Sequence, residues 1–223
     1  MIITHSFKKP FYIEKLQPLL NSTAIVLEVG CGNHAPTKFK RYFPNIKYFG
    51  LDKDLAYNLD DKDLSLIDKF FKINLDDLYE LKQLPDDYFD CIVMAHVLEH
   101  LKYQDDVVKV LITKLKRGGM LFLEYPGSRS LTLPSMKISS IFQGSLNFYD
   151  DSTHITVPDT LKILSIIKST KCRILSYGVR RSWKRIFFLP GYFINSIISF
   201  GKIDGAVFWD ILGFADYIIS IRE

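Results

Sequence analysis

The sequence has little cysteine: Cys31, Cys91 and Cys172 are the only three in 223 residues, and no two stand at C-x-x-C spacing. Neither a disulfide framework nor a zinc site is suggested, so no metal is expected and a reducing compartment is the simplest reading. A long apolar run is also missing. The stretch 186–200 holds 15 residues and is interrupted by Pro190, Gly191 and Asn195, short of the roughly 20 that cross a bilayer. Thr4 and His5 break the apolar start at residues 1–3, and no apolar core of about 7 to 15 residues follows, so no secretion signal is expected. No tract is biased enough for disorder, a repeat or a linker. With 48% hydrophobic and 24% charged residues, the length suits one domain, residues 1–223, carrying an elaboration.

Acidic residues are absent from 160–203, which holds nine Lys/Arg, whereas 50–106 holds fifteen Asp/Glu against six Lys/Arg. The net charge of +4 is therefore unevenly spread. An anionic partner would meet the C-terminal part, unless these are ordinary solvated faces.

What is present is organised around residues 24–32, Ala-Ile-Val-Leu-Glu-Val-Gly-Cys-Gly. The apolar run suits a strand buried on both faces, and Gly30 and Gly32 let the backbone turn sharply against a ligand. A second run, 46–51, ends in Asp52, about the spacing at which an acid reaches ribose hydroxyls in a doubly wound sheet. Further strands are expected at 70–75, 89–95, 120–124, 172–179 and 215–221. Helices are expected at 10–20, 36–42, 105–116 and 158–169, with 97–101 leading into the third of these and Arg117, Gly118 and Gly119 ending it. The crossover 52–68 reads as irregular or helical, and 126–149 as an irregular loop at the ligand-binding edge of the sheet. This alternation indicates parallel pairing by right-handed crossovers.

Between the last two strands lies an apolar and basic insertion, 180–213, with Trp183, Phe187, Phe188, Tyr192, Phe193, Phe200, Phe208 and Trp209. Preceded by Arg180, Arg181, Lys184 and Arg185, it could lie on a membrane surface through 183–200 or cap an anionic substrate. It could equally form a helical hairpin packed on the core or on a second subunit.

The glycine turn alone is a weak signal, and Ala35 in place of a third glycine leaves a dinucleotide-dependent oxidoreductase open. The whole series is more specific. Val-Leu-Glu-Val-Gly-Cys-Gly at 26–32, Gly-Leu-Asp at 50–52, Leu-Pro-Asp-Asp-Tyr-Phe-Asp-Cys-Ile-Val at 84–93, His-Val-Leu-Glu-His at 96–100 and Leu-Lys-Arg-Gly-Gly-Met-Leu-Phe-Leu at 115–123 together resemble the class I S-adenosylmethionine-dependent methyltransferases. The resemblance implies an α/β, doubly wound, Rossmann-like, mostly parallel seven-stranded sheet with an antiparallel last strand and a helical C-terminal insertion. Its implied cofactor is S-adenosylmethionine. Glu28 would orient the cofactor's amino group, Gly30, Cys31 and Gly32 would form the turn beneath its methionine part, and Asp52 would accept both ribose hydroxyl protons. Asn74 and Leu75 take the adenine register, with Asp76 as an alternative. Ala95 and His96 fall beside the sulfonium, while Glu99 and His100 are expected to cap and pack the following helix.

Asn-Phe-Tyr-Asp-Asp-Ser-Thr-His at 147–154 resembles the Asp-Pro-Thr-His segment of methyltransferases linked to sugar and surface-polysaccharide modification, with Ser152 replacing proline. It offers His154 as a base for a hydroxyl acceptor, with Asp151 or Asp150 orienting its other ring nitrogen; a purely structural tie between loop and helix is the alternative. The expectation is O-methylation of a sugar, sugar nucleotide or glycan intermediate. Alternatives are a lipid or quinone-like membrane acceptor and a non-catalytic binding domain. A nucleic-acid substrate is disfavoured by the lack of an Asn/Asp-Pro-Pro-Tyr motif after the fourth strand. An oligomer is open, and the expected location is cytoplasmic, with peripheral contact at the inner membrane face as an option.

Overall fold

The structure, a computed structural model, describes residues 9–54 and 58–223. The signal-peptide reading of residues 1–5 and positions 55–57 of the 52–68 crossover lie outside the described residues. The strands in chain order are β1 (Ile25–Val29), β2 (Lys47–Asp52), β3 (Lys69–Lys72), β4 (Phe89–Ala95), β5 (Leu115–Pro126), β6 (Phe142–Gln143), β7 (Cys172–Val179), β8 (Ile203–Asp204) and β9 (Ala215–Arg222). The helices are α1 (Phe11–Leu16), α2 (Ala35–Tyr42), α3 (Asp61–Ser65), α4 (Leu78–Lys82), α5 (Gln104–Lys114), α6 (Thr160–Ser169), α7 (Trp183–Phe187), α8 (Leu189–Phe200) and α9 (Trp209–Leu212).

Seven strands form one sheet in the order β3-β2-β1-β4-β5-β9-β7, and β9 alone runs antiparallel to its neighbours. Successive residues of a strand face opposite sides, so a run that is apolar at every position must be covered twice. Leu27, Ile92 and Leu121 pack with Leu111 of α5 and Ile163 of α6 on one face. Val26, Val93 and Phe122 pack with Phe11 and Leu16 of α1 and Phe39 of α2 on the other. The expected doubly wound architecture is present.

Several boundaries differ from expectation for identifiable reasons. The helix expected at 105–116 stops at Lys114, whose buried ammonium donates to the carbonyls of Lys82 and Leu84 and to Asp86. Leu115 then already pairs with Phe89, and the register shifts before Cys91 meets Met120. Gly118, at φ +80°, thus shapes an irregularity in β5 rather than a helix end. The third strand stops at Lys72, not at 75, because Asn74 opens a turn: its side chain accepts from Asp76 N and its carbonyl from Asp77 N. Residues 98–100 form a separate 3-10 turn ahead of α5. α6 begins at Thr160 rather than at Pro158 because the Asp159 carboxylate caps Leu161 N and Lys162 N.

The segment between β7 and β9 is helical, made of α7, α8 and α9 with β8 between them. The loop 126–149 carries short 3-10 turns at Ser128–Leu131, Met136–Ile138 and Phe148–Asp150 and the strand β6, which pairs with β8 and so fastens the loop to the insertion.

Candidate functional site

The carboxyl ends of β1, β2, β4 and β5 open into a cleft of about 870 Å³, where an open α/β sheet places its ligands. Of the expected site residues, Glu28, Gly30, Gly32, Asp52, Asn74, Leu75, Ala95, His96, Asp151 and His154 line it. Cys31 does not. Its side chain is buried against Gly50, and burial pushes its thiol up to about 12.

Gly30 stands at φ +75°, and a Cβ there would lie 2.3 Å from Val97 Cγ2. Only glycine lets the turn after β1 and the turn after β4 meet at the cleft floor. Glu28 is buried beside it, accepting from the Tyr48 hydroxyl at 2.6 Å and from Tyr12. Burial raises its pKa to about 7, against the opposing effect of both hydroxyls. Such a carboxyl is poised to ionise beside a ligand's cation. Asp52, half-buried at the end of β2, presents its carboxylate to the same wall, followed by the apolar side chains of Ile73 and Leu75. Asn74 Oδ1 and Asp76 Oδ1 are already engaged, by Asp76 N and by Lys102 N. The wall therefore offers an acid for an amino group, an acid for a diol and an apolar slot for a planar ring.

His96 takes φ +56°, a strained backbone for a non-glycine residue, and its amide donates to the Glu124 carbonyl at 2.8 Å. Its Nε2 lies 3.2 Å from Glu124 Oε1 and its Nδ1 3.4 Å from Glu99 Oε1. Burial alone would lower its pKa, but the hydrogen bond to Glu124 and the negative charge of the Glu99 carboxylate nearby outweigh this and raise it to about 9. Glu124 is held at about 2 despite its burial, by Arg180 and by His96. Arg180 donates to Glu124 at 2.7 Å, approaches Asp210 at 3.4 Å, and lies over the Phe11 and Trp209 rings. A buried chain of alternating charge thus runs from Asp210 through Arg180, Glu124 and His96 to Glu99. Of the basic residues that precede the apolar part of the insertion, Arg180 is buried, Arg185 reaches Asp210 and the Lys9 carbonyl, and Arg181, while exposed, donates to the Ile211 carbonyl.

On the opposite side of the cleft, the His154 side chain is 6% exposed and packed between the His100 and Phe148 rings. Its Nδ1 lies 2.6 Å from the Phe148 carbonyl, an acceptor, so Nδ1 carries a proton, and in the neutral ring the lone pair is on Nε2. That Nε2 is 3.8 Å from Glu99 Oε1 and 3.9 Å from Asp151 Oδ2. The orienting partner is therefore the Phe148 carbonyl; Asp151 stands on the reactive side of the ring, its Oδ1 accepting from Thr153 N and Oγ1. Asp150 is also turned away, accepting from Met136, Leu146 and Asn147 amides.

Glu99 corrects the expectation of a helix cap. It is buried at the cleft wall, and among the described residues neither carboxylate oxygen accepts a hydrogen bond. His100 instead holds the loop, with Nδ1 3.2 Å from the Thr153 carbonyl. Phe11, Tyr12, Trp209 and Phe214 complete the wall. Only the sheet order brings α1, with Phe11 and Tyr12, and α9, with Trp209, to the same edge.

The family model of the methyltransferase domain matches residues 5–175. No curated protein sequence matches the chain significantly. Among solved structures, a SAM-dependent methyltransferase from Archaeoglobus fulgidus is similar at TM-score 0.59 and 18% identity, covering 99% of this chain and 98% of its own. An S-adenosylmethionine-dependent methyltransferase from Mesorhizobium loti gives 0.64 at 14% identity, covering 97% and 100%. A phosphoethanolamine N-methyltransferase from Haemonchus contortus, solved with phosphomonomethylethanolamine and S-adenosylhomocysteine, gives 0.61 at 14% identity, covering 95% of this chain and 51% of its own.

Proposed function

The chain belongs to the methyltransferase domain family, and from that premise we propose that it is an S-adenosylmethionine-dependent methyltransferase acting on a hydroxyl of a sugar, sugar nucleotide or glycan. The cofactor wall fits the group: Glu28 suits the amino group, Asp52 the ribose diol, and Ile73 with Leu75 the adenine. Gly30, Gly32, Asn74, Ala95 and His96 border the same space. S-adenosylmethionine, when bound, supplies an electrophilic methyl group on a good leaving group.

The acceptor side rests on one observation, the buried Glu99 carboxylate, which accepts no hydrogen bond of normal geometry and stands between His96 Nδ1 at 3.4 Å and His154 Nε2 at 3.8 Å. A buried acceptor left unsatisfied costs about 1–3 kcal/mol or more when charged. A polyhydroxyl ligand brings the missing donors. One hydroxyl bonds Glu99 and its neighbour faces His154 Nε2. As the new C–O bond forms, the hydroxyl proton passes to Nε2, and Glu99 and Asp151 stabilise the resulting imidazolium. The Phe148 carbonyl keeps the ring in the required tautomer.

The test is thermal stabilisation by S-adenosylmethionine combined with mass spectrometry of labelled methyl transfer to acceptor pools. His154→Ala is expected to keep cofactor stabilisation and to lose turnover by about 10²-fold or more. Unchanged turnover in that variant removes His154 from the chemistry, and no stabilisation by the cofactor overturns the reading.

A further inference from the structure

A helix at a water-exposed surface turns its apolar stripe inward and its polar residues out. The insertion does the reverse. Among the described side chains of α8 the buried one is Ser196, 3% exposed and bonded to the Lys202 carbonyl and Asp204 N, while Ile198 is 78% exposed and Ile194 and Ile197 also face out. In α7, Arg185 turns inward to Asp210, whereas Trp183 and Phe187, one turn apart, are 76% and 78% exposed. Ile138 and Ile141 extend the face, because the Ile141 carbonyl accepts from Ile203 N and brings that loop beside the end of α8.

This surface has a sign as well as an apolar character. Residues 127–149 and 179–203 contain no Asp or Glu, and Lys137, Arg181, Lys184 and Lys202 of these segments are exposed. Glu14 of α1 reaches this part of the molecule, accepting from the Ser182 hydroxyl. Apolar groups on segments whose own charges are all positive complement the headgroup layer of an anionic bilayer. At about 1.5 Å per residue, α8 is too short to cross one, and no helix among the described residues is long and apolar enough to do so. It therefore lies in the interface. The face adjoins the cleft: α7 carries Trp183 and Phe187 outward and Arg185 into the cleft wall.

We propose that the α7–α8 face seats on an anionic lipid bilayer and that the acceptor is a lipid-anchored glycan presented to the cleft from that surface. The second half rests on the hydroxyl-acceptor reading above; the first half does not.

The experiment is sedimentation of the full chain with phosphatidylcholine vesicles, with and without phosphatidylglycerol, followed by extraction of membrane lipids incubated with methyl-labelled cofactor. Expected are binding to the anionic vesicles, weakened by salt, and a loss of at least about tenfold in the triple variant Trp183→Ser, Phe187→Ser, Ile198→Ser. Because those side chains face outward, the variant should retain stabilisation by S-adenosylmethionine, which verifies its folding. Label is expected in the organic phase. Absence of vesicle binding, equal binding by the triple variant, or a concentration-dependent dimer that the triple substitution dissociates would overturn the membrane assignment. Vesicle binding with label only in aqueous glycans would overturn the lipid-anchored acceptor while leaving methyl transfer intact.

Discussion

Glu28 ionises near neutrality because the fold buries it, and its folded pKa of about 7 lies above the ordinary 4.5. Between those values the folded chain holds a proton that the unfolded chain has lost, so this residue's contribution to stability falls as pH rises through 7. Cofactor binding should run the opposite way, since the ionised carboxylate is the form that pairs with an ammonium. The dissociation constant for S-adenosylmethionine is expected to fall several-fold from about pH 6 to about pH 8. Glu28→Gln should bind more weakly and show a flattened profile; titration calorimetry across that range checks both. The sequence made Glu28 visible by its place before the glycine turn. Nothing local to it revealed Tyr12 and Tyr48, which reach it from α1 and β2.

The turns at the strand ends carry the strain of the site. Gly30 and His96 both hold positive φ, and they face each other through Val97. Gly30→Ala is expected to cost at least about 1–3 kcal/mol from backbone strain alone, with further loss from the clash, and to abolish stabilisation by the cofactor. Urea denaturation and thermal shift measure the two effects. Along β4 and β5, the pairing of His96 with Glu124 sets limits in pH. Glu124, held near 2, contributes stability that is present above 4.5 and lost as pH falls through 2. His96, raised to about 9, contributes stability that is full below 6.5 and lost as pH rises through 9. Taken alone, this pair would hold urea midpoints level between 4.5 and 6.5, with the Glu28 decline up to pH 7 superposed, and His96→Gln should remove the further fall between about 7 and 9.

At the scale of the whole molecule, Arg180 joins the insertion to the sheet, bonding Glu124 of β5 and Asp210 of α9. Removing one member of a buried charge network leaves its partners uncompensated, at a cost of about 3–5 kcal/mol. Arg180→Ala is expected to lose that much in urea unfolding and to expose 183–200 to limited proteolysis while the strands stay protected. Survival of the insertion against protease in this variant would show that β6–β8 pairing and apolar packing hold it without Arg180.

The sequence alone determined the sheet and the cleft wall on which the proposed cofactor residues stand. Parallel strands buried on both faces must be apolar throughout, and the groups that touch a ligand at their carboxyl ends follow each run directly. That is why Glu28, Gly30, Asp52 and Ala95 could be read in register from their own segments. Strand ends and caps were less legible: Lys114 ends a helix by bonding carbonyls some thirty residues earlier. The proposed acceptor side depended on tertiary structure. Glu99 meets His154 only because a loop more than fifty positions later is folded back beside it, held by His100 and by the Phe148 carbonyl. The insertion's direction was likewise hidden. Its composition allowed a packed hairpin or an outward face; in the fold Ser196 and Arg180 are buried while Trp183, Phe187, Ile194, Ile197 and Ile198 face outside.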